Sequence, residues 1–122
     1  MMEPKHVLVV DDDKGFTEFF AEFLGNLGHT THIATNGPEA LEIIERHHPA
    51  VMLLDMRLPG MDGIQVLKAA KLRSPGTKVI VITAYDEKYE QEAKRNGAEA
   101  FFIKPIPMRE LVEKFEMLMA RH

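Results

Sequence analysis

The chain has 122 residues, 45% of them hydrophobic, and 15 basic against 19 acidic side chains leave it with a net charge of -4. That length and apolar content suit a single domain, 1–122, and the acidic balance without any Lys/Arg tract argues against direct nucleic-acid binding. With no cysteine there is neither a disulfide scaffold nor a thiolate metal site; no apolar stretch approaches the roughly 18 residues of a membrane span, and Met1 to His6 has no signal-like apolar core, so the expected location is the cytoplasm, away from membranes.

Strand-like and helix-like patterns alternate along the chain. The first apolar run, Val7 to Val10, ends on Asp11 and predicts a strand near 6–11. A helix follows near 14–27, with Asp13 placed to cap it and Gly28 to stop it. Its Phe16, Phe19, Phe20, Phe23, Leu24 and Leu27 span an apolar arc of about 140° at about 100° per residue, wider than a core stripe needs. The next strand, near 30–34, mixes Thr30, Thr31 and His32 with Ile33, and that polarity places it at a sheet edge. Asn36, Gly37 and Pro38 open a helix near 37–47.

Ala50 to Leu54 ends on Asp55 and predicts the central strand, near 50–55; a turn-rich loop with Pro59, Gly60, Asp62 and Gly63 leads into a helix near 63–72. Val79 to Ile82 runs into Thr83, giving a strand near 78–82. The following helix, near 86–96 and closed by Gly97, offers only Tyr89 and Ala93 as an apolar pair, so little burial anchors it. Ala100 to Ile103 precedes Lys104 in the last strand, near 100–103, and a helix near 108–120 completes the alternation.

Continuous apolar runs of this length suit strands buried on both faces, the habit of parallel sheets. The expected fold is therefore α/β, a doubly wound five-stranded parallel sheet of flavodoxin-like (βα)5 type, with the polar second strand favouring the order 2-1-3-4-5. Parallel strands end on one edge, so Asp11, Asp12, Asp55, Thr83 and Lys104 should converge at the switch point between the first and third strands. Magnesium takes a few carboxylate oxygens and keeps several waters, which makes Asp11 and Asp12 candidate metal holders. Lys104 can neutralise a transferring phosphoryl group while Asp55, at the end of the central strand, acts as nucleophile and forms an aspartyl phosphate.

These residues resemble the response-regulator receiver domain of bacterial two-component signalling, particularly the stand-alone kind similar to sporulation-phosphorelay or chemotaxis regulators. The segments that carry the resemblance are Val7 to Asp13, Leu53 to Gly63, Val81 to Tyr85 and Gly97 to Pro105, and in this order and spacing they extend it over essentially the whole chain. The resemblance implies that Asp55 accepts a phosphoryl group from a histidine kinase or histidine phosphotransfer protein. It implies Mg2+, or Mn2+ in its place, held by Asp12, Asp55 and the backbone carbonyl of Arg57, with Asp11 acting through water. Thr83 and Lys104 would each contact a phosphoryl oxygen, and a cis peptide before Pro105 would fix where Lys104 points. Thr83 and Phe101 would form the switch; many receivers carry tyrosine where this chain has Phe101. The face made by the fourth helix, fifth strand and fifth helix would pass the signal to an effector protein or to an output domain, and a weak homodimer through it is compatible with the pattern. Arg57 and Tyr85 stand at places that modulate dephosphorylation. Such a protein is a signalling phosphoacceptor that catalyses its own phosphorylation and dephosphorylation, with no turnover of a separate substrate.

Phe16 and Phe19 suggest a partner-docking surface, because the resemblance puts the start of the first helix beside the active site. The six histidines show no ligand spacing, and His29 and His32 should face opposite sides of their strand. Two other readings stand beside the receiver: an interaction module of receiver fold that is never phosphorylated, and a flavodoxin-like or dinucleotide-binding protein. The second lacks both G-x-G-x-x-G and G-x-x-x-x-G-K-[ST].

Overall fold

A computed structural model describes residues 5–84 and 89–121. Among the described residues, β1 (His6–Val10), β2 (Thr30–Ala34), β3 (Val51–Asp55), β4 (Lys78–Thr83) and β5 (Ala100–Ile103) form one parallel sheet in the order β2-β1-β3-β4-β5. They alternate with α1 (Lys14–Asn26), α2 (Gly37–His47), α3 (Gly63–Arg73), α4 (Glu90–Arg95) and α5 (Met108–Ala120). Both the doubly wound architecture and the edge position of the polar second strand agree with the sequence reading. No helix among the described residues is long and apolar enough to cross a membrane.

The pleat divides the apolar residues between two cores, because successive side chains leave opposite faces of a strand. Val7, Val9, Val51, Leu53, Ile80 and Ile82 pack on one face with Phe20 and Leu24 of α1 and with Leu111, Phe115 and Leu118 of α5. Leu8, Val10, Met52, Leu54, Val79 and Val81 pack on the other with α2, α3 and Ala93 of α4. Each large side chain so buried contributes about 1.5–3 kcal/mol, which is why five-residue strands suffice. β3 is buried at every position, so its final residue carries a carboxylate to the end of an otherwise apolar strand.

Local chemistry sets the helix ends. Asp13 accepts the Phe16 N–H as the cap of α1, and Asn36 accepts the Glu39 N–H as the cap of α2, whose first turn holds Pro38. Asp62 does more than turn the chain: it caps α3, and Gln65 returns its side chain to the Asp62 N–H. Gly28 and Gly97 follow α1 and α4 with φ of +89° and +99°, the left-handed conformation that stops a helix at little steric cost. Ala93 is fully buried and is the anchor of the six-residue α4, whose predicted earlier residues, from Asp86, lie outside the described ones.

The broad apolar arc of α1 splits in two. Phe20 and Leu24 are buried and Phe16 and Phe23 pack partly against the core, while Phe19 and Leu27 are 53% and 50% exposed. A sheet covers only one side of a helix laid on it, and the margins of so wide an arc stay in water.

Candidate functional site

At the carboxyl ends of the strands the backbone ladder runs one residue beyond the strands on either side of the site. Asp11 donates its N–H to Ala34 O at 3.1 Å, and Lys104 donates its N–H to Thr83 O at 2.8 Å. Both side chains are therefore aimed by the sheet itself. Asp11 continues the pleat of Val7 and Val9, Asp55 that of Val51 and Leu53, and Lys104 that of Ala100 and Phe102, so all three leave the α1/α5 face. The Lys104 ammonium reaches Asp11 Oδ2 at 3.0 Å and Asp55 Oδ2 at 3.3 Å.

The remaining carboxylate oxygens are also held. Asp11 Oδ1 accepts the Asp13 N–H at 3.0 Å, and Asp55 Oδ1 accepts the Arg57 N–H at 3.0 Å. Asp12 is exposed, and one oxygen from each of Asp11, Asp12 and Asp55 lies within 4.8 Å of the other two. The three border an open cleft of about 960 Å3, walled on the far side by the loop after β3. That loop sits close because α3 begins at a glycine: a Cβ on Gly63 would fall 2.6 Å from Met56 Cα and 2.8 Å from Met56 O, backbone atoms that cannot yield.

Electrostatics leave this cluster unbalanced. Burial raises the Asp55 carboxyl above its ordinary value; the Arg57 N–H opposes that, the Asp11 charge adds to it and Lys104 opposes it again, with a net rise. One ammonium does not neutralise three carboxylates. The donor set, hard oxygens spaced a few ångström apart in an open cleft, fits Mg2+ or Mn2+, for which octahedral oxygens lie about 2.9 Å apart along an edge and about 4.1 Å apart across.

Residues 7–116 match the family model of the response regulator receiver domain. The chain belongs to that family. The receiver is 41% identical to the sporulation initiation phosphotransferase F of Bacillus subtilis over 112 residues, which cover 91% of this chain and 90% of that one. It is 40% identical to the regulatory protein AtoC of Escherichia coli over 106 residues, 86% of this chain but only 23% of the relative's length. A CheY-like receiver domain structure from Methanospirillum hungatei superposes with a TM-score of 0.90 at 31% identity, covering 98% of this receiver and 96% of that chain. A response regulator receiver of two-component systems is thus established from sequence and fold together.

The sheet brings Asp11, Asp12, Asp55 and Lys104 of the receiver to one place, and Lys104 precedes Pro105 through a cis peptide. Thr83 lies at the same edge but on the other pleat: it continues Val79 and Val81, is 0% exposed, and leaves Ala84 beside it to line the cleft. Phe101 pairs in register with Val81 and is half-buried against the same core as Thr83's strand neighbours. Phe16 stands beside the site, with Lys104 Nζ 5.4 Å from its ring centroid, a cation-π contact. Tyr85 lies outside the described residues.

Two features went unread in the sequence. Tyr89 lines the cleft, where the pattern had suggested only an apolar partner for Ala93. The histidines are corrected as well: His29 does face away, taking the Lys5 N–H on Nδ1 at 3.2 Å, but His6, His32 and His47 come together with ligand atoms within 4.8 Å of one another. Their signal was topological, since the start of β1 and the end of α2 meet at one end of a parallel sheet.

Proposed function

We propose that this receiver takes a phosphoryl group onto Asp55 from a phosphohistidine of a histidine kinase or phosphotransfer protein, with a divalent cation at Asp11, Asp12 and Asp55. The observation that carries the reading is the Lys104 ammonium held between Asp11 and Asp55 beside the exposed Asp12. Asp12, Asp55 and the Arg57 carbonyl would hold Mg2+ or Mn2+, with Asp11 acting through water; when bound, the ion supplies positive charge against the phosphoryl oxygens.

The chain's own groups divide the work. The Arg57 N–H holds one oxygen of Asp55 and so orients the carboxylate. An oxygen of Asp55 attacks phosphorus in line, an O–P bond forms as the N–P bond breaks, and the imidazole of the donor leaves and takes up a proton from water. Lys104 exchanges its contact with Asp55 for a phosphoryl oxygen, offsetting charge that develops in a site where water is partly excluded. Hydrolysis then restores the carboxylate and releases inorganic phosphate. Thr83 turns its hydroxyl toward the phosphoryl group, and Phe101, packed on the same face, takes up the space it leaves. The surface of α4, β5 and α5 carries that change to an effector protein or an output domain.

Intact mass after incubation with Mg2+ and acetyl phosphate tests the reading. One phosphoryl mass should appear on the wild type and none on Asp55→Asn. Equal labelling of the two proteins, or none on either, overturns it.

A further inference from the structure

We propose that His6, His32 and His47 form a binding site for a transition-metal ion of the Zn2+ class, at the end of the sheet opposite the aspartate cleft. His6 opens β1, His32 lies in the middle of β2 and His47 is the last residue of α2. The β1–β2 register pairs His6 with Thr30 and Leu8 with His32, so both imidazoles leave the same face of neighbouring strands on a diagonal. α2 packs on that face through Leu41 and Ile44, and His48, in a left-handed conformation, returns its N–H to Ile44 O at 2.9 Å and stops the helix at His47. Three separate elements thus place the three residues side by side through backbone bonds and core packing, and only the ring torsions remain to be set.

The distances suit one ion. Ligand nitrogens of all three histidines lie within 4.8 Å of one another, and His6 Nδ1 is 2.8 Å from His32 Nε2 in a hydrogen bond. Ring centroids are 4.1 Å apart for His32 and His47 and 5.1 Å for His6 and His47. Tetrahedral zinc with Zn–N bonds of about 2.0–2.1 Å needs nitrogens about 3.3 Å apart. The three rings lie stacked, with interplanar angles of 13°, 17° and 20°, so the short pair must open by roughly half an ångström and the rings must turn about their soft Cβ–Cγ torsions until the nitrogens face one point. The proton shared by His6 and His32 moves to the other nitrogen of its own ring, so both imidazoles ligate in the neutral form.

Chemistry separates this site from the other. Imidazole nitrogen suits Zn2+, Cu2+ and Ni2+, whereas Mg2+ seeks the carboxylate oxygens. His6 is exposed and the other two half-buried, so an ion can enter and water can complete its shell. Asp11 lies five positions along the chain from His6, about 17 Å at roughly 3.3 Å per residue, too far for the two sites to share an ion.

The test is a Zn2+ titration of the full chain in saturating Mg2+, read by calorimetry and by side-chain nitrogen spectra of the histidines. One equivalent should bind and shift the His6, His32 and His47 rings while leaving His29 unmoved. His6→Gln and His47→Gln, both at solvent-accessible positions, should each weaken Zn2+ binding at least about tenfold, with unchanged metal-free melting temperature and unchanged Mg2+ binding. Shifts confined to the amides of Asp11, Asp12 and Asp55, or loss of less than about tenfold in both variants, would leave only a hydrogen-bonded histidine cluster and overturn the proposal.

Discussion

Lys104 Nζ stands 3.3 Å from Asp55 Oδ2, although 49 residues separate the two in the chain. The same ammonium lies 3.0 Å from Asp11 Oδ2, so one cation serves two carboxylates that are 1% and 6% exposed. Burial draws the Lys104 ammonium down, but the hydrogen bond to Asp11 and the Asp55 charge outweigh it, and its pKa is raised above the ordinary 10.5. A cation so placed stabilises the empty site and is also positioned to follow the charge onto a phosphoryl group.

Those two roles separate in Lys104→Gln. Phosphoryl uptake from acetyl phosphate should slow by about 10²-fold, the usual cost of losing a group aimed at developing charge. Mg2+ should bind more tightly than in the wild type, because the carboxylates it relieves then lack their internal counter-ion. Single-turnover labelling and a Mg2+ titration read by melting temperature check the pair. An unchanged rate would reduce Lys104 to a structural cation.

The pH dependence follows from the directions of the two shifts. Asp55 is raised from 3.8 by burial first, so between that value and its folded pKa the folded chain keeps a proton that the unfolded chain releases. Stability contributed by Asp55 therefore falls as pH rises through that window in metal-free solution. Lys104 has the same sign at the alkaline end: its contribution is present below 10.5 and is lost as pH climbs through its higher folded value. Melting temperatures from pH 4 upward should show the acid-side slope in the wild type, and it should vanish in Asp55→Asn. Saturating Mg2+ should flatten it at neutral pH, and Asp55→Asn should melt a few degrees higher without metal. A lower melting temperature for that variant would mean the carboxylate is on balance favourable where it stands.

Coupling of Thr83 to Phe101 gives a third expectation. The two side chains leave the same pleat, with Phe101 registered opposite Val81, so movement of the Thr83 hydroxyl toward Asp55 opens space that the half-buried ring can fill. A phosphoryl mimic in Mg2+ should shift amides across 90–104, and Thr83→Ala should abolish the shifts near Phe101 while the mimic still binds. Identical spectra with and without the mimic in that region would remove the switch.

What was readable beforehand, and what was not, divides along physical lines. β3 and β4 announced themselves because parallel strands buried on both faces need unbroken apolar runs, and α2 could be bounded because Asn36 and Pro38 are residues with local reasons to start a helix. Asp11, Asp55 and Lys104 were legible as a set since each directly follows or ends such a run and parallel strands finish together. The histidine trio was not, because it depends on the β1–β2 register and on the direction in which α2 returns, neither of which is written in local spacing. The arc of α1 was legible as wider than a core stripe needs, and Phe19 and Leu27 do stay exposed at its margins, though periodicity shows which residues share a face and not how much of that face the sheet covers.

Adjacent phenylalanines on α1 supply the final prediction, because Phe19 is 53% exposed and Phe20 is 1% exposed. Phe20 sits in the α1/α5 core with Val7, Val9 and Leu24, so Phe20→Ala should cost about 3–5 kcal/mol and lower the melting temperature sharply. Phe19 meets Phe20 edge-on with centroids 5.3 Å apart and stacks on Phe23 at 6.4 Å, but more than half of it lies in water, so Phe19→Glu should cost less than about 1 kcal/mol. The same helix begins beside the cleft, where Phe16 underlies Lys104. If Phe19 belongs to the surface on which a phosphohistidine protein docks, Phe19→Glu slows transfer from such a donor but leaves labelling by acetyl phosphate untouched, since a small donor needs no docking surface. Equal loss with both donors would point to damage at the site, and no loss with either would return Phe19 to an ordinary exposed aromatic.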